Sequence, residues 1–278
     1  MMKIGIVGLG LIGGSLAIDL RKQNHYLLGV SRQEYTCKIA VEKGIVDRAS
    51  SDLSILKKAE IIFICTPIDK IAPTLQKLIP YIDSETIVTD VGSVKQPIVE
   101  ACRPLWDNFI GGHPMAGTEE SGINAARSNL FQGAAYVFTP HKESPHLDKL
   151  KQLALSLGAV PYVCSPEVHD RAVAWISHLP VMVSAALIVA CQSESDKEVL
   201  KLAQHLASSG FRDTTRVGAG NPELGMMMAQ YNNEVLRSLY SYRDNLDRII
   251  ELVETKNWDN LSQILTDNRQ ARPKFLNE

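Results

Sequence analysis

One short stretch restricts this chain more than any other: Ile4-Gly5-Ile6-Val7 runs directly into Gly8-Leu9-Gly10-Leu11-Ile12-Gly13. The first four residues have strand character, and helical spacing begins after the glycines, so the segment reads as strand, tight turn and helix. Each glycine has its own physical reason. Gly8 permits the turn, Gly10 lets the backbone approach a pyrophosphate, and Gly13 lets helix and strand pack closely. Leu11 and Ile12 open a helix whose unpaired N–H groups and partial positive charge face bound phosphates. Such a glycine pattern alone is weak, but set in a βαβ unit of about 30 residues it marks a dinucleotide site.

The tip of the second strand selects the dinucleotide. Sites for NAD usually place Asp or Glu there to bond the ribose 2′-hydroxyl. Here Leu27-Leu28-Gly29-Val30 runs into Ser31-Arg32-Gln33, and Glu34 already belongs to a helix. Ser31 can hydrogen-bond a 2′-phosphate, and Arg32 can pair with it and stack on adenine. The expected cofactor is NADP.

The alternation continues to about residue 165. Ile4–Val7, Tyr26–Val30, Ile61–Cys65, Ile87–Asp90, Phe109–Gly111 and Ala135–Thr139 read as strands, most of them apolar on both faces. Ile12–Asn24, Glu34–Lys43, Pro67–Tyr81 and Val94–Cys102 carry helical spacing. Apolar strands separated by helices imply a parallel sheet covered on both sides. The expected fold class is α/β, with a doubly wound Rossmann domain over residues 1–165. From Pro166 the texture becomes helical, in Glu167–Cys191, Asp196–Ser208, Glu223–Thr255 and Trp258–Ala271. A C-terminal all-helical domain, residues 166–278, is expected to form a homodimer through these helices; a single-chain bundle is the alternative.

Composition removes other classes. Apolar residues make up 45% and charged residues 22%, as in ordinary folded proteins. A formal net charge of −2 argues against nucleic-acid binding, which needs a basic surface. Cys37, Cys65, Cys102, Cys164 and Cys191 are odd in number and lack any CxxC pair, which supports neither a disulfide framework nor a zinc site. No metal is expected. Glycines break the N-terminal apolar run, so it does not read as a signal peptide. Val181–Cys191 falls short of the ~20 residues that cross a bilayer. A cytoplasmic chain with no membrane partner is expected.

Further loops fall at carboxyl ends of strands, where open α/β sheets bind ligands. Thr66 and Pro67 are placed to line a nicotinamide edge. In Asp90-Val91-Gly92-Ser93-Val94-Lys95, Ser93 and Lys95 could reach nicotinamide or substrate; alternatively, Asp90 and Ser93 cap the next helix. The next strand ends in Gly111-Gly112-His113-Pro114. An imidazole fixed there can take a proton from a hydroxyl while hydride leaves the same carbon, so His113 is the candidate catalytic base.

GLGLIGGSL at the first turn, TP at 66–67, DVGSVK at 90–95, GGHPMAGTE at 111–119, SHLP at 177–180 and DTTR at 213–216 together resemble the prephenate/arogenate dehydrogenases of tyrosine biosynthesis. The matches are ordered and span nearly the whole chain. The resemblance implies oxidative decarboxylation of a cyclohexadienol, with His113 and Ser93 as catalytic residues. It places substrate-binding groups at His178, Arg216 and Glu119. Without it, His178 reads as a core histidine, Arg216 as a surface cation, and His169 and Asp170 as helix-start residues or dimer contacts. Arg216 would offer a bidentate fork to a substrate carboxylate. Glu119 and Glu120 could complement an ammonium group, and with the NADP preference this favours arogenate, with prephenate as runner-up. Two rivals share the nucleotide fold: a β-hydroxyacid dehydrogenase, whose lysine-centred scheme finds no Lys in 165–185, and a non-catalytic NADP sensor.

Overall fold

A computed structural model describes residues 1–118 and 120–276. β1 (Lys3–Val7), α1 (Leu11–Lys22), β2 (Tyr26–Val30), α2 (Glu34–Glu42) and β3 (Arg48–Ser50) come first. They lead into β4 (Ile61–Ile64), α3 (Ile68–Leu78), β5 (Ile87–Asp90), α4 (Gln96–Cys102) and β6 (Phe109–Pro114). β7 (Ala135–Thr139), α5 (His146–Ser156) and β8 (Val160–Val163) complete one sheet of order β3-β2-β1-β4-β5-β6-β7-β8. β1 to β6 are parallel, β7 is antiparallel to β6, and β8 is parallel to β7.

Successive strand residues point to opposite faces, and this sheet has a core on each. Ile4, Ile6, Leu27, Phe63 and Ile87 pack with Leu16 and Leu20 of α1 on one side. Val7, Leu28, Ile62, Ile64 and Val88 pack with Ile71 and Leu75 of α3 on the other. This explains why the strands are apolar throughout. The order reverses between β1 and β4, which opens the ligand crevice at their carboxyl ends.

The six expected strands all form, and the Rossmann reading of the first half holds. β3, α5 and β8 add to it. β3 is three residues of weak strand propensity at one sheet edge, and β8 contains Pro161, which an edge strand tolerates because the nitrogen that lacks a proton stands on the side away from the ladder. β6 runs through His113 to Pro114, so the imidazole stands within a strand rather than after it.

Helices follow: α6 (Pro166–Val173), a π turn (Ala174–His178), α7 (Leu179–Gln192), α8 (Lys197–Leu206), α9 (Ser209–Thr215) and α10 (Pro222–Tyr231). Pro166–Gln192 forms one continuous stretch of 27 residues that is long and apolar enough to cross a membrane, by length and composition only. In sequence the apolar run is shorter, Val181–Cys191, because polar residues interleave the first half of this stretch. The expected helix Glu223–Thr255 is broken: Asn232 is extended (φ −113°, ψ 99°) and ends α10. The chain forms two compact units, Met1–Asn232 and Asn233–Glu278. The second contains α11 (Glu234–Glu254) and α12 (Trp258–Leu276).

Candidate active site

The glycine turn fits a dinucleotide. Gly8 adopts φ +102°, and a Cβ there would meet the Cys65 carbonyl oxygen at 2.4 Å. A Cβ on Gly13 would meet the Gly8 carbonyl oxygen at 2.0 Å. At Gly10 nothing lies within 4 Å, so a side chain there would project into the open cradle over the start of α1. That helix has no side-chain cap and no acidic residue in its first turn, which leaves its N–H groups to an anion. At the tip of β2, Ser31 Oγ accepts a hydrogen bond from the Gln33 N–H at 3.3 Å. Arg32 is exposed, with no hydrogen bond or ion pair to its side chain among the described residues.

Beneath the crevice, β5 and β6 are tied by a buried ion pair. Lys95 Nζ donates to Asp90 Oδ2 and, at 2.7 Å, to the Gly112 carbonyl. Asp90 accepts from Gly92 N–H at 2.8 Å and from Gly112 N–H at 3.1 Å. Burial pulls the Lys95 ammonium below its ordinary pKa, while the charge and hydrogen bond of Asp90 pull it back up. Both side chains are fully buried. Lys95 therefore does not reach nicotinamide or substrate as expected; it holds the backbone that carries His113. Asp90 does not cap α4 either, because its bonds go to Gly92 and Gly112. The α4 N-terminus takes its acceptor from Asp170, whose Oδ1 and Oδ2 receive Lys95 N–H (2.6 Å) and Gln96 N–H (2.8 Å).

The same carboxylate starts a chain of imidazoles. Asp170 Oδ1 lies 2.7 Å from His169 Nδ1, and His169 Nε2 lies 2.8 Å from His113 Nδ1. All three residues are buried. The rings of His113 and His169 meet edge to face at 5.0 Å. His113 has a pKa well below the usual imidazole value, first through burial and then through the nearby His169, Lys95 and His178. It is therefore neutral and able to accept a proton. His169 and Asp170, expected to be helix-start residues or dimer contacts, are instead the inner support of this imidazole. The available signal was their adjacency in one helical turn, which gives no hint of a partner 56 residues away.

A second imidazole is held by other means. Asn232 Nδ2 donates to the Asp170 carbonyl at 2.8 Å and lies 3.0 Å from His178 Nδ1. The carbonyl can only accept, so the amide nitrogen is the atom at this position and His178 Nδ1 accepts its second proton. Burial brings the His178 pKa down to about 4 against the pull of Asp170, so the ring is neutral with its proton on Nε2. That Nε2–H is buried and unpartnered. His169 and His178 are nine residues apart, opposite faces of a helix with 3.6 residues per turn. The π turn between them widens one turn and reduces that separation. Pro180 has no N–H for the Ile176 carbonyl, so the regular ladder is interrupted where the π turn lies.

Ser93 Oγ and Thr66 Oγ1, on loops after β5 and β4, are also buried without partners, as is Tyr136 OH on β7. Pro67 follows Thr66 and stands immediately before α3, without a side-chain hydrogen bond to its first turn. Arg216 lies in a short 3₁₀ turn (Arg216–Ala219) packed on α7, the helix that follows His178. Its side chain is exposed, with no carboxylate paired to it among the described residues. Glu119 lies outside the described residues. Glu120 is committed elsewhere, to Arg127 Nη2 at 2.5 Å, so it is not a free counter-charge for an ammonium group.

A family model described as the prephenate dehydrogenase nucleotide-binding domain matches residues 16–163, and one described as the prephenate dehydrogenase dimerization domain matches residues 165–267. A prephenate dehydrogenase of Bacillus subtilis is 34% identical over 92% of this chain and 71% of its own length. Among solved structures, arogenate dehydrogenase from Synechocystis is 57% identical, with a TM-score of 0.90 over 99% of this chain and 100% of that one. Prephenate dehydrogenase from Aquifex aeolicus, in complex with hydroxyphenyl propionate and NAD+, is 27% identical, with a TM-score of 0.91 over 99% and 98% of the two chains.

Proposed function

The chain belongs to the prephenate/arogenate dehydrogenase family, and from that premise we propose that it is an NADP-dependent arogenate dehydrogenase. The observation that carries this reading is the buried, neutral imidazole of His113 with its Nδ1 engaged inside the protein and its Nε2 left for substrate. The 57% identity to the Synechocystis arogenate dehydrogenase supports the substrate. The absence of a carboxylate at the tip of β2, with Ser31 and Arg32 in its place, supports NADP. Gly8, Gly10 and Gly13, with the N–H groups at Leu11 and Ile12, hold the pyrophosphate; Thr66 and Pro67 border the nicotinamide.

A nicotinamide bound over the glycine turn would supply the acceptor for hydride from the substrate's carbinol carbon. His113 Nε2 takes the proton of the hydroxyl on that carbon, and Ser93 Oγ bonds the same oxygen. The resulting dienone is an electron sink for its ring carboxylate: the C–COO⁻ bond breaks, carbon dioxide leaves, and the electron pair aromatises the ring. The phenolate oxygen then recovers the proton from His113, so no net proton is made. His178 Nε2–H and Arg216 bind the substrate's oxygens, with Glu119 at the cleft mouth.

Prephenate is the second reading, favoured by the engagement of Glu120 with Arg127. Initial rates of NADPH or NADH formation on arogenate and prephenate, each with both cofactors, test the assignment. The highest specificity constant is expected for arogenate with NADP; a higher one for prephenate overturns the substrate, and a preference for NAD overturns the cofactor. Arg32→Ala should raise the KM for NADP and leave that for NAD unchanged.

A further inference from the structure

We propose that Asp170 and His169 fix which nitrogen of His113 carries its proton, and that His169 takes over the charge when His113 is protonated. The first part is a matter of counting donors. Asp170 Oδ1 and Oδ2 accept backbone N–H bonds from Lys95 and Gln96, so the group is an acceptor at both oxygens. Its bond to His169 at 2.7 Å therefore takes the proton of His169 Nδ1. With its Nδ1–H committed to Asp170, a His169 that carries a single proton has its lone pair on Nε2, and the 2.8 Å contact there then takes the proton of His113 Nδ1. His113 Nε2 is left bare, the form a general base needs. The inference rests on the role of His113 proposed above, but the tautomer itself does not.

The second part follows from what surrounds the two rings. His113 faces Lys95 from the loop after β5, His178 from the π turn and His169 from α6, and its own strand supplies no carboxylate. His169 has Asp170 against its other nitrogen. When His113 Nε2 gains the hydroxyl proton, the His113 Nδ1–H bond can break as a His169 Nε2–H bond forms. Positive charge then rests beside the Asp170 carboxylate rather than beside the Lys95 ammonium. His169 keeps its Nδ1 proton throughout, and the transfer reverses when the phenolate is reprotonated. His169 and Asp170 are positioning residues, since neither touches substrate.

Imidazole nitrogen NMR on the full-length protein labelled with ¹⁵N-histidine reads the tautomer without turnover, with His113 assigned by its loss in His113→Asn. In the wild type, His113 should show a protonated Nδ1 and a bare Nε2. Asp170→Asn removes the carboxylate charge and one of its two acceptor oxygens, so the support of the His169 Nδ1–H and of the charge on that ring is weakened; turnover should fall on the order of 10²–10⁴-fold, the range seen for base removal or a wrong tautomer, with cofactor affinity kept. His169→Gln guards against an unfolded Asp170 variant. Its amide oxygen can still accept from His113 Nδ1, so the tautomer should survive while turnover falls and the acid limb of kcat/KM moves to lower pH. A merely structural role would lower turnover and leave that limb in place. A wild-type His113 protonated on Nε2, or an unmoved acid limb in His169→Gln, overturns the proposal. The expected tautomers in a protein that oxidises neither arogenate nor prephenate would instead overturn the functional reading alone.

Discussion

His178 folds as a neutral ring. Its pKa drops from 6.5 to about 4 on burial, so the unfolded chain binds its proton first as pH falls. Stability from this residue is complete above pH 6.5 and declines between there and about pH 4. The shift corresponds to at most about 3 kcal/mol. His178→Gln should therefore unfold in urea with a midpoint that changes less between pH 7.5 and 4.5 than the wild-type midpoint does. An equal or steeper decline in the variant would remove the residue from the pH response. His113 was readable in the sequence because glycine and proline fix it at a strand end. His178 and Arg216 are expected as substrate groups only through resemblance, since an apolar helix and a surface turn give no such cue. Asn232 left no cue at all: it binds its ring only because α10 stops there, and the apolar periodicity ran on through it.

Among the elements, β5 and β6 depend on a contact that the sequence suggested differently. Lys95 reads as a substrate-reaching cation because it follows a ligand loop, yet its side chain is buried and bonded to Asp90 and Gly112. Removing one member of a buried ion pair leaves a charge without compensation, which costs about 3–5 kcal/mol. Lys95→Met should lose that much stability in urea unfolding, and a loss below about 1 kcal/mol would show that Asp90 is satisfied by its backbone N–H bonds alone. The parallel strands themselves were plain, since strands buried on both faces are continuously apolar. Edge strands are not: β3 and β8 have one open side and need no apolar run, so Arg48–Ser50 and the proline-containing Val160–Val163 escaped notice. The π turn is a defect in helical periodicity and could not be read from the pattern it interrupts.

For the molecule as a whole, the open question is what covers the apolar surface of the helical half. On α11, Val235, Leu239, Tyr242, Leu246, Ile249 and Val253 recur at alternating intervals of four and three residues, the spacing of a helix–helix seam. In the single chain Tyr242 is 40% exposed, Leu246 43%, Ile249 38% and Val253 48%. Full burial of an apolar side chain of this size is worth about 1.5–3 kcal/mol, so each of these half-covered side chains still forfeits roughly 0.6–1.4 kcal/mol. The stripe lies within residues 165–267, which match the dimerization-domain model. A second copy is thus the expected cover of this stripe. Light scattering after gel filtration should give the mass of a dimer for the wild type. The double variant Leu246→Glu, Ile249→Glu brings carboxylates from both copies into the seam, where burying unpaired charge is costly, and should elute as a monomer with its helical circular dichroism intact. A wild type that stays monomeric at tens of micromolar, or a double variant that remains a dimer, would mean that this stripe is not the seam.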